Sequence, residues 1–127
     1  MRTLPEAGCT ILVCDDDKMT RDVYGHVLKN AFYTVIEASS GADCLRKMYT
    51  QRVDLLVLDL MMAGLSGWDV MHVKSNDPTI CLIPTIIITG LEPSLARKKP
   101  LIGAALILEK PFSNTMLIYS VDKLLRG

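Results

Sequence analysis

Short apolar runs alternate along the chain with longer segments of mixed polarity. The runs fall at Thr10–Cys14, Thr34–Ala38, Asp54–Leu58, Thr85–Thr89 and Ala105–Leu108. They are rich in Val, Ile and Leu with little polar alternation, the pattern of strands covered on both faces in a parallel sheet. The intervening segments read as helices. Lys18–Lys29 places Met19, Val23 and Val27 at i, i+4 and i+8, predicting an apolar stripe toward the core. Ser40 is a candidate N-cap for a helix reaching about Tyr49. A third helix is expected over Gly67–Ser75, stopped by "NDP", and a short one after Pro93, ended by Pro100. The last begins after Ser113 and carries Leu117, Val121 and Leu124 inward. Met48, Met71 and Met116 read as core filler, Met61 and Met62 as packing residues, and Trp68 as cover over the core.

Five such βα units joined by right-handed crossovers give an α/β, doubly wound parallel sheet with helices on both faces. Ligands of these sheets bind beyond the carboxyl ends of the strands. The residues there are Asp15, Asp16 and Asp17 after the first strand, Glu37 near the end of the second, and Asp59 after the third. Thr89 and Gly90 close the fourth, and Glu109, Lys110 and Pro111 follow the fifth.

Length and composition narrow the picture. The 127 residues suit a single domain, with its core at about 9–126. Fourteen basic and fourteen acidic residues cancel, so no bulk charge points to nucleic acid or to a membrane surface. Cys9, Cys14, Cys44 and Cys81 show neither CxxC nor His-Cys spacing, and read as reduced thiols of a cytoplasmic protein. The N-terminal "MRTLPEAGCTILVCDDD" has an apolar run broken by acid, unlike a signal peptide or a membrane span.

The chemistry is therefore local. Asp15, Asp16 and Asp59, brought together at adjacent strand ends, would repel one another and resist ionising. A divalent cation relieves that conflict, and hard oxygen ligands suit Mg2+. Lys110 adds a positive charge on the other side and Thr89 a hydroxyl. Cation plus lysine is a way to hold a phosphoryl group, and a carboxylate facing it can act as a nucleophile to give an aspartyl phosphate.

In "ILVCDDD", "DLLVLDLMMAGLSG", "IPTIIITG" and "EKPF", the chain resembles receiver domains of two-component response regulators, from about Cys9 to Arg126. The resemblance implies a five-stranded sheet of order 2-1-3-4-5, an order for which a chemotaxis receiver is a standard example. It implies Asp59 as phospho-acceptor. Asp16 would be a direct Mg2+ ligand, with Asp15 assisting and the Met61 carbonyl as a further ligand. Lys110 would pair with the phosphoryl group, Thr89 would move toward it on activation, and Lys110–Pro111 would be cis. The implied partners are a sensor histidine kinase or histidine phosphotransfer protein as donor, and an output domain or protein. The output partner would meet the face made by the segment after Pro93, the fifth strand and the last helix. A homodimer on phosphorylation is also compatible with the family.

Several positions depart from the family pattern. Ala63 stands where proline is usual, and Ile107 where an aromatic residue often stands. Phe32 takes the place of a common glycine after the first helix, so that Asn30 is the expected left-handed cap. Pro100 is expected to shorten the helix before the fifth strand. Two other functions are compatible with parts of the pattern. A haloacid-dehalogenase-like phosphohydrolase would use Asp15-x-Asp17 and "IIIT", but Met19 stands where its first motif has Thr or Val, and its late acidic pair is absent. A phosphorylation-independent interaction module would make sense of Ile107 and Pro100, but not of the retained acids, threonine and lysine. Taken singly, Asp15–Asp17 read as helix caps, Asp59 as a solvated strand end, Thr89 as a strand threonine and Lys110 as a surface lysine. His26 and His72 read as surface residues.

Overall fold

A computed structural model describes residues 9–91 and 103–126. In chain order these form β1 (Thr10–Cys14), α1 (Lys18–Asn30), β2 (Thr34–Ala38), α2 (Gly41–Thr50) and β3 (Leu55–Asp59). There follow α3 (Gly67–Ser75), β4 (Thr85–Thr89), β5 (Ala104–Glu109) and α4 (Asn114–Arg126). The helix expected after Pro93, with Pro100 at its end, falls outside the described residues. All strands are parallel and the sheet order is β2-β1-β3-β4-β5, as expected. The third strand starts and ends one residue later than its apolar run suggested: Asp59 is its last residue, opposite Ile88. The fifth is longer at both ends, and its register against β4 shifts between Thr85 and Ile86.

Strand alternation divides the core into two layers. Leu12, Cys14, Leu56, Leu58 and Ile87 face one way and pack with Cys44 and Met48 of α2 and with Val70 and Met71 of α3. Ile11, Val13, Leu55, Val57, Ile86 and Ile88 face the other way and pack with Val27 and Leu28 of α1 and with Leu117 and Val121 of α4. Each of these aliphatic side chains contributes about 1.5–3 kcal/mol by leaving water. The double cover explains the unbroken apolar runs of β1, β3 and β4, and it holds only there. The outer strands β2 and β5 are partly exposed and keep Thr34, Glu37 and Glu109.

The helices correct several expectations. Met19 and Val23 are exposed, whereas Val27 is buried as expected, together with Gly25 and Leu28, so the buried stripe is rotated around the helix from the i, i+4, i+8 set. Met48 and Met71 are buried, but Met116 is exposed on α4. Met62 is buried, whereas Met61 is exposed. Trp68 packs over the α2–α3 core layer and His26 and His72 are exposed. Helix starts follow their signals. Ser40 accepts the Asp43 N–H at 3.1 Å, and Ser66 and Asp69 form a reciprocal capping box at α3. All four cysteines are free.

The left-handed residue after α1 is Phe32, with φ of 73°, not Asn30. The Phe32 N–H donates to the Lys29 carbonyl and the Tyr33 N–H to the Leu28 carbonyl, a tight exit that needs positive φ at this one position. A bulky residue there is strained by about 1–2 kcal/mol, and Phe32 is itself largely exposed, so little packing offsets it. Phe32→Gly is therefore expected to stabilise the fold by about 1 kcal/mol in urea denaturation. A destabilised Phe32→Gly variant would show that the ring makes contacts worth more than the strain.

Candidate functional site

Three carboxylates meet at the carboxyl edge of the sheet. One oxygen each of Asp15, Asp16 and Asp59 lies within 4.8 Å of the others. Asp15 directly follows β1, and its N–H donates to the Ala38 carbonyl of β2 at 3.2 Å. The residue is buried. Its Oδ1 accepts the Asp17 N–H at 2.9 Å, while its Oδ2 is buried with no hydrogen-bond partner among the described residues. Asp16 is exposed, and its Oδ2 accepts the Ala63 N–H at 3.1 Å. Asp59 is buried at the end of β3. Its Oδ1 accepts the Met61 N–H at 3.1 Å, and its Oδ2 lies 3.9 Å from Lys110 Nζ.

The close approach of α3 also depends on one glycine. A Cβ on Gly67 would lie 2.6 Å from both the Asp59 carbonyl and Leu60 Cα. The Gly67 N–H donates to the Leu60 carbonyl at 2.9 Å, so the helix start is pinned against the strand end that carries Asp59.

On the other flank, Thr89 ends β4 and is fully buried. Its hydroxyl accepts the Leu91 N–H at 2.9 Å, and its carbonyl accepts the Lys110 N–H at 2.8 Å. Lys110–Pro111 is cis. Phe112, next along, stacks on Tyr24 of α1 with ring centroids 5.6 Å apart. Asp17 takes the N-cap position of α1 and accepts the Thr20 hydroxyl at 2.5 Å; it lies outside the three-carboxylate cluster. Glu109 is exposed, and Glu37 is engaged elsewhere.

Glu37 identifies a residue that sequence reasoning missed. Arg21 of α1 donates through Nε to Glu37 Oε1 at 3.1 Å and through Nη1 to the Asp15 carbonyl at 2.8 Å. It clamps the loop after β1 to the end of β2. Its partners are six and sixteen residues away, so no local spacing announces the role. Tyr24 was missed as well. Burial and the charges of Asp15 and Asp59 push its hydroxyl up to about 12.

The electrostatics follow from crowding in a partly dry place. Burial pushes the Asp59 carboxyl up to about 6; the Met61 N–H opposes this, Asp15 adds to it, Lys110 opposes it and Asp16 adds again. Asp15 is raised too, chiefly by burial, against the Asp17 N–H and Lys110. Two buried carboxylates with raised proton affinity, one with an oxygen lacking any donor among the described residues, fit a site built for a hard cation.

The family model of the response regulator receiver domain matches residues 11–122. Response regulator PleD of Caulobacter vibrioides is 33% identical over 117 residues, which cover 91% of this chain and 26% of PleD. A cyclic di-GMP phosphodiesterase of Thermotoga maritima is 29% identical over 120 residues, 93% of this chain and 31% of that protein. The chain thus spans about a quarter to a third of these two relatives. Among solved structures, response regulator TrrA of Thermotoga maritima in complex with Mg2+-BeF superposes with a TM-score of 0.82 at 28% identity. The match covers 92% of this chain and 99% of TrrA.

The raised Asp59 carboxyl has a signed consequence. Its folded value, about 6, lies above its ordinary 3.8, so the metal-free fold holds this proton more tightly than the unfolded chain does. The resulting penalty is absent below the ordinary value and complete above about pH 6. In EDTA, wild type should lose about 1 kcal/mol more stability than Asp59→Asn between pH 5 and pH 7. Parallel stability–pH curves for the two proteins would contradict the assignment.

Proposed function

The chain belongs to the response regulator receiver domain family, and from that premise we propose that Asp59 accepts a phosphoryl group from a phosphohistidine and so switches the domain. The observation that carries the reading is the Asp15–Asp16–Asp59 cluster facing Lys110 at the carboxyl edge of the sheet. Asp15, Asp16, Asp59 and the Met61 carbonyl would hold Mg2+. When bound, the cation supplies charge neutralisation for the carboxylates and for phosphoryl oxygens.

The protein's own groups divide the rest. An Asp59 carboxylate oxygen attacks phosphorus in line, the P–O bond forms as the P–N bond to the donor imidazole breaks, and the imidazole leaves with the bonding pair. Lys110 Nζ, 3.9 Å from Asp59 Oδ2, would pair with the transferred charge. Met61 N–H already donates to Asp59 Oδ1 and orients the carboxylate. The Thr89 hydroxyl uses an acceptor lone pair on Leu91 N–H, leaving its own proton for a phosphoryl oxygen once the side chain turns toward the site. Occupancy shifts a conformational equilibrium only through such contacts made in one state and not the other.

The donor would be a sensor histidine kinase or a histidine phosphotransfer protein. The output partner or domain would read the face that includes β5 and α4. Among the described residues no helix is long and apolar enough to cross a membrane, and a cytoplasmic site of action follows from the proposed phosphorelay. The domain would turn over nothing except its own aspartyl phosphate. A haloacid-dehalogenase-like mechanism would use Asp15 as nucleophile. Lys110 Nζ lies 3.9 Å from Asp59 Oδ2, which supports Asp59 rather than Asp15 as the acceptor.

Acetyl phosphate with Mg2+ should add one phosphoryl mass to wild type and none to Asp59→Asn, read by intact mass. Equal labelling of the two, or label mapped to Asp15, would sink the acceptor assignment. Lys110→Ala should retain labelling but lose most of the size or spectroscopic shift that beryllofluoride induces in wild type. An undiminished shift in that variant would remove Lys110 from the mechanism.

A further inference from the structure

Asp16 differs from the other two acids of the cluster. Asp15 and Asp59 are held by burial and by N–H groups two residues along their own loops. Asp16 is exposed, and its Oδ2 is bonded across the site to the Ala63 N–H, 47 residues away. Its like charge already acts on Asp59 and Asp15. Repulsion from those two carboxylates, together with rotamer freedom at an exposed position, favours swinging Asp16 out of the cluster. The bond to Ala63 opposes that. It is charge-assisted, a class roughly twice as strong as neutral hydrogen bonds. It also ties the loop after β1 to the loop after β3, which carries Met61.

The donor is a main-chain N–H, so it exists only because residue 63 is not proline. We propose that the Ala63 N–H is a positioning group that holds Asp16 in place for the cation, so that the identity of residue 63 sets Mg2+ affinity in this protein. Oδ2 accepts from the amide, and the carboxylate keeps further lone pairs for a metal. The inference rests on the reading of Asp16 as a Mg2+ ligand.

The test is a Mg2+ titration followed by the emission of Trp68, the sole tryptophan, on the intact chain. Ala63→Pro, which deletes the donor, should weaken Mg2+ binding about three- to tenfold. Ala63→Ser, which keeps the N–H, should bind as wild type does. In an Asp16→Ala background, Ala63→Pro should cause no further loss, because the group through which it acts is gone. An Ala63→Pro variant with wild-type affinity would overturn the proposal. So would a further loss in the Asp16→Ala background, since that is the mark of a loop defect alone. If Ala63→Pro does not fold, amide exchange in wild type decides. The Ala63 amide should be slowed in metal-free protein and released in Asp16→Ala, whereas free exchange in wild type would also overturn the proposal. A wild type that binds no Mg2+ at all would fail the underlying reading instead, and that result is visible before any variant is compared.

Discussion

Three carboxylates forced into one small space are the constraint from which the rest of this molecule can be understood. Asp15, Asp16 and Asp59 offer oxygens within 4.8 Å of one another, and two of the three residues are buried. At that separation like charges in a partly dry site repel by several kcal/mol before any relaxation. Every neighbouring contact moderates that repulsion. Asp17 N–H and Met61 N–H donate to Asp15 and Asp59, Ala63 N–H donates to Asp16 and stabilises its charge where it stands, and Lys110 lies across from Asp59. The protein's remaining response is to raise the proton affinity of the two buried acids. Such an arrangement opposes folding without a cation, which is the coupling the proposed Mg2+-dependent acceptor needs.

The sheet is what can bear this opposition. β1 and β3, which deliver the acids, are the central strands, and their side chains are almost wholly buried on both faces. Their ends are pinned by elements from both sides. The Leu60 N–H donates to the Ile88 carbonyl, Gly67 lets α3 press against Asp59, and Arg21 fastens the Asp15 carbonyl to Glu37. The burial that stabilises the strands also desolvates Asp59. Core packing and the raised proton affinity of Asp59 therefore share one cause, and a change that loosens the first would relax the second.

Much of this is legible in the residues because continuous Val/Ile/Leu runs admit few structures. β1, β2 and β4 match their apolar runs, and the acids at strand ends follow once the strands are placed. The errors have physical sources. Met19 and Val23 share a helical period with Val27, but a period alone leaves the angular position of the stripe open, and α1 turns Tyr24 and Leu28 inward instead. Met116 fits a core pattern equally well, yet it lies in the first turn of α4, away from the layer that Leu117 and Val121 enter. Phe32 is a tertiary override: the exit from α1 needs positive φ there whichever residue is present. Arg21 and the buried Lys74, whose Nζ reaches the Cys81 carbonyl at 3.2 Å, depend on partners that only folding brings near. Of the candidate site, the acids, Thr89 and Lys110 could be listed from strand ends, but the Arg21 clamp and the bond from Ala63 to Asp16 could not.

The β4–β5 edge bears on how a change at Asp59 would travel outward. Ile107 is partly buried and packs against the α2–α3 core layer. Being aliphatic and branched at Cβ, it is restricted at χ1 and has no polar end that solvent could stabilise in a second rotamer. A two-position ring at this site is therefore unavailable. Thr89 is differently placed. Its hydroxyl is held by the Leu91 N–H, and its carbonyl receives the Lys110 N–H, so one residue joins the acid cluster's lysine strand to the segment that follows β4. In the proposed switch, turning the Thr89 hydroxyl toward a phosphoryl oxygen strains or breaks the bond to Leu91, while the main-chain bond to Lys110 keeps the two strand ends in register. The rearrangement then falls on the bond to the Leu91 N–H rather than on the main-chain bond to Lys110 after β5. That difference follows from which of the two Thr89 bonds is made by a rotatable side chain and which by fixed backbone.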